Sequence, residues 1–168
     1  MADMDQVMGF QQAFEEVISQ VTATNSVDLG SRRIHKGEEY VYCYNASGAD
    51  IQPTYGVKLV TAASGYSVAA TSLTDTAHPC VGVVKHSTFT ASYYGWVMTK
   101  GFTSLEMDVD QSAATDYLLL SLSKNGTFQP STPVTDAVHV GTFAVVGWGL
   151  NVTVASGGSF YGMIKTGF

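Results

Sequence analysis

The chain has 168 residues with 17 Gly, nine Tyr and eight Phe, is 45% hydrophobic but only 13% charged, and carries a formal charge of −6. That size suits one ordinary domain or two small lobes, and abundant Gly and aromatic residues with sparse charge favour a turn-rich strand protein and exclude a helical bundle. The net negative charge leaves no global basic field to neutralise phosphates, so nucleic acid is not an expected partner.

The first ten residues, MADMDQVMGF, contain no basic segment followed by an apolar core. No stretch of the chain approaches the run of about 18 apolar residues that spans a bilayer. The expectation is a protein made in a cytosol-like compartment, with no membrane partner. Residues 3–21 predict the one amphipathic helix: Met4, Val7, Phe10, Phe14, Val17 and Val21 recur at spacings of three and four, which puts them on one face. Asp3 can cap it, and Asp5 sits favourably near the positive end of the helix dipole. A polar stretch, 22–31, follows. Residues 1–31 therefore read as an N-terminal helix and arm, whose stripe packs either on its own domain or on a neighbour.

Arg32, Arg33, His35 and Lys36 form the one basic cluster, directly after a segment holding Asp3, Asp5, Glu15, Glu16 and Asp28 and no Lys or Arg. Such asymmetry suits pairing between subunits or with an acidic partner; a simple solvated turn is the competing reading. Beyond it, residues 32–168 read as a β domain. Period-two or short apolar runs occur at 39–44, 57–62, 66–70, 80–84, 94–99, 103–109, 117–122, 138–146 and 160–165, each closed by Gly, Asn, Ser or Pro. Asn125-Gly126 is the clearest hairpin turn. About ten closely spaced strands imply a barrel or sandwich.

An internal repeat organises this domain. Val81-Gly82-Val83-Val84 is echoed by Val146-Gly147-Trp148-Gly149, and Tyr93-Tyr94-Gly95-Trp96 by Phe160-Tyr161-Gly162-Met163. Val57 to Ala62 with Ser64-Gly65 matches Tyr117 to Leu122 with Asn125-Gly126. Residues 37–102 and 103–168 thus read as two similar β repeats, and the Gly in each aromatic-Gly strand predicts a bulge or a close backbone crossing.

Chemistry-bearing clusters are sparse. Glu106, Asp108 and Asp110 alternate along one strand and could hold Ca²⁺, but a solvated strand face or a charge-protected edge explains them as well. His78, Cys80 and His86 are one ligand short of a structural zinc site, and Cys43 and Cys80 read as buried thiols. No nucleophile elbow, phosphate loop or HExxH motif occurs, and Gly147-Trp148-Gly149 lacks the third glycine of a dinucleotide loop. The Asn-x-Ser/Thr sequons at Asn45, Asn125 and Asn151 would matter only in a secreted chain. No metal, cofactor or catalytic residue is expected.

The order Val81-Gly82-Val83-Val84, Tyr94-Gly95-Trp96-Val97, Gly101, Asp116-Tyr117-Leu118-Leu119, Gly126-Thr127-Phe128 and Val145-Val146-Gly147 resembles the head decoration, or capsid cement, proteins of tailed bacteriophages over about residues 37–168. The resemblance implies a small β-rich protein, often a dimer or trimer, that binds the major capsid protein on the exterior of the virion and stabilises the lattice. It also implies no enzymatic activity. Such a task asks for extended arms, exposed strand edges and aromatic anchors. The expected contact residues are Val7, Phe10, Phe14, Val17 and Val21 on the helix, with Arg32 and Arg33 pairing to an acidic rim. The alternatives are a tail or head-fibre component and a carbohydrate-binding β-sandwich, which would need Trp96, Trp148, Tyr93 or Tyr94 exposed for stacking on sugar rings. A glycosidase using two of Glu106, Asp108, Asp110 and Asp116 lacks the apolar pocket that raises an acid's pKa.

Overall fold

A computed structural model describes residues 17–60, 66–70, 80–106, 118–122, 126–130, 145–147 and 158–166. The described chain is mainly β. A single 3-10 turn, Val17–Ser19, precedes β1 (Arg32–His35), β2 (Glu38–Asn45), β3 (Gly56–Leu59), β4 (Ser67–Ala70), β5 (Cys80–Val83), β6 (Tyr94–Glu106), β7 (Leu118–Leu122), β8 (Phe128–Pro130), β9 (Val145–Gly147) and β10 (Ser159–Lys165). Seven strands pair in the order β1-β2-β4-β3-β5-β6-β10, and an additional β2–β6 pairing closes β2, β4, β3, β5 and β6 into a five-stranded barrel. β1 and β10 lie outside that closure. A second sheet has the order β8-β7-β9.

The run Tyr40-Val41-Tyr42-Cys43 shows why the barrel closes where it does. Strand side chains alternate between faces, and here both faces are apolar, the pattern of a strand buried on two sides. Val41 and Cys43 join Val57, Val68, Val81 and Val97 in the barrel interior. Tyr40 and Tyr42 pack on the other side with Trp96, Met98, Ile18, Leu105, Phe128 and Ile164. Phe128 belongs to the second sheet and Ile164 to β10, so this outer core joins the barrel to the rest of the molecule.

Glycine permits the closest strand approach. A Cβ on Gly82 would lie 2.1 Å from the Met98 carbonyl oxygen, so β5 can lie against β6 only without a side chain there. The crossing expected at the glycine of the aromatic-Gly strand lies instead at Gly82: a Cβ on Gly95 would meet only the side chains of Phe89 and Val21, at 3.3 and 3.5 Å. The β2–β6 register also slips by one residue: Glu39 faces Lys100 but Tyr40 faces Met98, leaving Thr99 as a bulge. Two residues on, Gly101 has φ 142°, a conformation that disfavours any side chain.

Three expectations are corrected. The helix predicted over 3–21 does not run to its end: residues 17–19 form one 3-10 turn, and Thr22 then makes an antiparallel bridge with Tyr94. That bridge needs extended backbone, which β-branched Val21 and Thr22 favour over helix. Residues 1–16 lie outside the described residues. The basic cluster is not a solvated turn but the edge strand β1, turned back onto β2 by the two-residue loop Lys36-Gly37, with φ 51° and 82°. Positive φ at both positions is the type I′ hairpin. The separate strands expected at 94–99 and 103–109 are one 13-residue strand, β6, bent by the Thr99 bulge and Gly101.

Candidate interaction surface

The bulge at Thr99 inverts the alternation of β6. Before it, Trp96 and Met98 face the outer core; after it, Thr103 and Leu105 are buried there, while Lys100, Phe102, Ser104 and Glu106 turn to the opposite face. β10 pairs with this second half in antiparallel register, Phe102 opposite Met163 and Ser104 opposite Tyr161. Side chains opposite one another share a face, so Phe102, Met163 and Tyr161 form a contiguous apolar cluster. Phe102 is 55% and Tyr161 72% exposed. The Lys100 row continues through Glu39 on β2 to Ile34 on β1, which is 74% exposed. Ile34, Phe102 and Tyr161, the large exposed apolar residues among those described, therefore lie on one face of the sheet β1-β2-β6-β10. Large apolar side chains gathered on one face mark a contact surface more often than single scattered ones do.

Charges on this face are unevenly matched. Lys100 pairs with Glu39 at 2.6 Å, whereas Arg32 and Lys165 are exposed and make no ion pair among the described residues. Glu106 accepts a hydrogen bond from the Tyr55 hydroxyl at 3.4 Å.

A polar network lies behind the bulge. Lys85 and the Tyr40 hydroxyl both donate to the Glu38 carboxylate, and the Tyr40 oxygen, its proton committed to Glu38, accepts from His86 Nε2 at 3.0 Å. Lys85 also donates to the Phe102 carbonyl at 3.2 Å, which ties the network to the exposed face. Burial opposes ionisation of Glu38, but the hydrogen bonds from Lys85 and Tyr40 and the nearby positive charges hold its carboxyl below the usual value. Burial and the Glu38 charge push the Tyr40 phenol well up. Burial, with the charges of Lys85 and His35, lowers the His86 imidazole. The group is a chain of satisfied hydrogen bonds, and sequence reading missed it because Glu38 and His86 come together only through the β2–β6 and β5–β6 pairings, which set Tyr40 and Val83 on either side of Met98.

Of the expected contact residues, Val7, Phe10 and Phe14 lie outside the described residues, and Val17 begins the 3-10 turn. Val21 is half-buried against the barrel core, where the missing side chain of Gly95 leaves it room. Arg32 is exposed on β1 and Arg33 half-buried. Trp96 is only 7% exposed and cannot present its ring to a sugar; Tyr93 and Tyr94 are half-buried, and Trp148 lies outside the described residues.

The other clusters separate as well. Cys43 and Cys80 are free, buried thiols; burial raises both, Cys80 to about 12, so neither is a nucleophile at neutral pH. Among the described residues no His, Cys, Asp and Glu side chains group as metal ligands. His78, Asp108, Asp110 and Asp116 lie outside them. Asn45 is fully buried: its amide nitrogen donates to the Ala49 and Phe89 carbonyls at 2.9 and 2.7 Å, and its oxygen accepts from the Ser47 amide and hydroxyl. This sequon is a turn clamp. A cavity of about 10 Å³, lined by Ile18, Val21, His86, Phe89 and Trp96 among others, has room for roughly one water.

No protein-family model matches the chain, and no curated protein matches it either.

Proposed function

We propose that the chain is a structural virion protein that binds and stabilises the outer surface of a bacteriophage capsid. It is made in the host cytoplasm and acts as a homo-oligomer, dimer or trimer, against the major capsid protein, without enzymatic activity or cofactor. The observation that carries this reading is the exposed face of β1-β2-β6-β10, where Ile34, Phe102 and Tyr161 offer anchors on a rigid sheet. The resemblance to decoration proteins supplies the partner class. Even a modest contact becomes strong when repeated over a closed lattice.

The repeat fits the same reading. The orders β4-β3-β5 and β8-β7-β9 correspond strand for strand, and the antiparallel β2–β6 pairing corresponds to β6–β10. We read these as two copies of one unit that share β6, each copy donating one of its sheet faces to the outer core.

The test is co-sedimentation of the purified chain with empty expanded capsids of the phage that encodes it. Saturable binding at a fixed ratio to the capsid subunit, weakened in the double variant Phe102→Ser, Tyr161→Ser, is the expected result. Wild-type chain left in the supernatant would overturn it. The adjacent rings of Phe102 and Tyr161 also favour a second reading, stacking on sugar rings, for which a glycan array gives the answer.

A further inference from the structure

We infer that the exposed face takes an acidic side chain of a partner protein between Lys100 and Lys165, an assignment that deepens the reading of this face as the contact surface and rests on it. One row of side chains crosses the sheet there. Ile34 on β1 stands opposite Glu39 on β2, Glu39 opposite Lys100 on β6, and Lys100 opposite Lys165 on β10. Like charges directly opposite one another destabilise a sheet, so the two lysines cost the fold stability.

The row holds one carboxylate for its two cations. Glu39 bonds Lys100 at 2.6 Å from the β2 side, away from β10. Lys165 is exposed and has no ion pair among the described residues. An anion lying over the gap would attract both ammonium groups and offset their repulsion. The next pairs along the same face are Phe102 with Met163 and Ser104 with Tyr161. Phe102 and Tyr161 are more than half exposed, so an apolar neighbour of the acid would lie on their rings.

Charge and size select the occupant. The chain carries −6 overall, which repels a polyanion, whereas a single carboxylate among apolar side chains matches two lysines beside Phe102 and Tyr161. A second copy laid face to face brings the same lysines with it. The carboxylates described on this face are engaged, Glu39 by Lys100 and Glu106 by the Tyr55 hydroxyl. The fitting partner is therefore a protein segment that carries Asp or Glu beside an apolar residue.

The test sets stability against binding. Lys165→Glu turns the repulsion into a cross-strand ion pair with Lys100, so this variant should unfold no earlier than wild type and still lose the partner. Co-sedimentation with empty expanded capsids of the encoding phage should weaken at least about tenfold in Lys165→Glu and about threefold in Lys165→Met, which removes only the charge. Lys36→Glu makes the same charge change in the exposed turn between β1 and β2 and should bind as wild type does. The second probe is acetyl-Leu-Glu-Leu amide, with acetyl-Leu-Gln-Leu amide as its control, titrated to millimolar concentration onto the full chain and read by NMR. The Glu peptide alone should shift the side-chain signals of Lys100, Lys165 and Phe102, and Lys165→Glu should abolish those shifts.

Equal shifts from the two peptides, or an equal loss of capsid binding in Lys36→Glu, overturns the assignment. So does a Lys165→Glu chain that unfolds more readily than wild type, because the lysine then serves the fold. A dimer in solution that Lys165→Glu dissolves also overturns it, since the site then serves a second copy. Capsid binding that is indifferent to Lys165→Glu defeats the acid site and spares the capsid reading; Glu-peptide shifts in a chain that ignores capsids do the reverse.

Discussion

The two halves of β6 lie in different surroundings. Its first half, through Met98, is buried on both sides, with Val97 in the barrel and Trp96 and Met98 in the outer core. Its second half is buried on one side only, by Thr103 and Leu105, and presents Lys100, Phe102 and Ser104 outward. One bulged residue, Thr99, and one glycine at positive φ separate the regimes. The first half is committed to stability. The second leaves half of its side chains on an exposed face, the face to which the proposed contact is assigned.

Mutations should therefore divide between the two regions. The largest loss is expected for Gly82→Ala. The new Cβ would meet the backbone oxygen of Met98 at 2.1 Å, and backbone cannot step aside as a side-chain tip can. Overpacking at a closed strand crossing costs about 3 kcal/mol or more, measured as a lower urea midpoint with unchanged slope; a loss under about 1 kcal/mol would mean that β5 and β6 can separate without opening the barrel. Asn45→Ala comes next. It removes one of two donors from each of the Ala49 and Phe89 carbonyls, which keep the Ser47 hydroxyl and the Ile51 amide, and it takes away the acceptor of the Ser47 amide and hydroxyl at a buried turn, a cost of about 2 kcal/mol. An equally stable variant would show that water replaces the amide.

The barrel's polar border should also respond to acid. His86 takes a proton less readily in the folded protein than in the unfolded chain, whose His titrates near 6.5. Stability is then full above that pH and declines as pH falls below it. Glu38 has the depressed pKa of a paired carboxylate, so its contribution is present above about 4.5, its unperturbed value, and is lost as pH falls through the folded value. The two losses run in the same direction. Denaturation midpoints measured between pH 7 and 4 should fall in wild type, and His86→Asn should flatten the decline in its upper part; a midpoint that rises on acidification would contradict both assignments. A smaller effect of opposite sign is expected at Thr54, which holds φ 80° at the third position of the turn Gln52–Tyr55, where glycine is the ordinary choice. Thr54→Gly should stabilise by about 1 kcal/mol, seen as a higher melting temperature.

Legibility in the sequence followed the same division. The barrel strands could be read from runs such as Tyr40 to Cys43 and Val81 to Val84, because two-sided burial writes continuous apolar sequence. The crossing at Gly82 was not legible: it was expected at the glycine of the aromatic-Gly strand, Gly95, where only side chains approach. Nor was the open face, since it depends on a one-residue slip at Thr99 that moves Phe102 outward, and no residue type at 99 announces a bulge. β1 was hidden by its charges: four residues, three of them basic or His and only one apolar, read as a turn, although Lys36-Gly37 ahead of an alternating run is a hairpin signal. The stripe at Val17 and Val21 failed as a helix because its apolar spacing also serves a chain that lies flat on the barrel, with Ile18 in the core between them.

The smallest effect is the one that decides the comparison. Phe102→Ser with Tyr161→Ser removes two side chains that are more than half exposed and whose strand partners, Met163 and Ser104, remain. Little apolar area leaves water at either position when the chain folds, so the double variant should unfold within about 0.5 kcal/mol of wild type. If the face were instead covered within the molecule, those rings would contribute as core residues do, and the loss would be several-fold larger. An unfolding curve that superimposes on wild type, together with weakened capsid binding, would assign the rings to a partner. An equally stable variant that still binds would leave the open half of β6 without a task and place the contact elsewhere on the molecule.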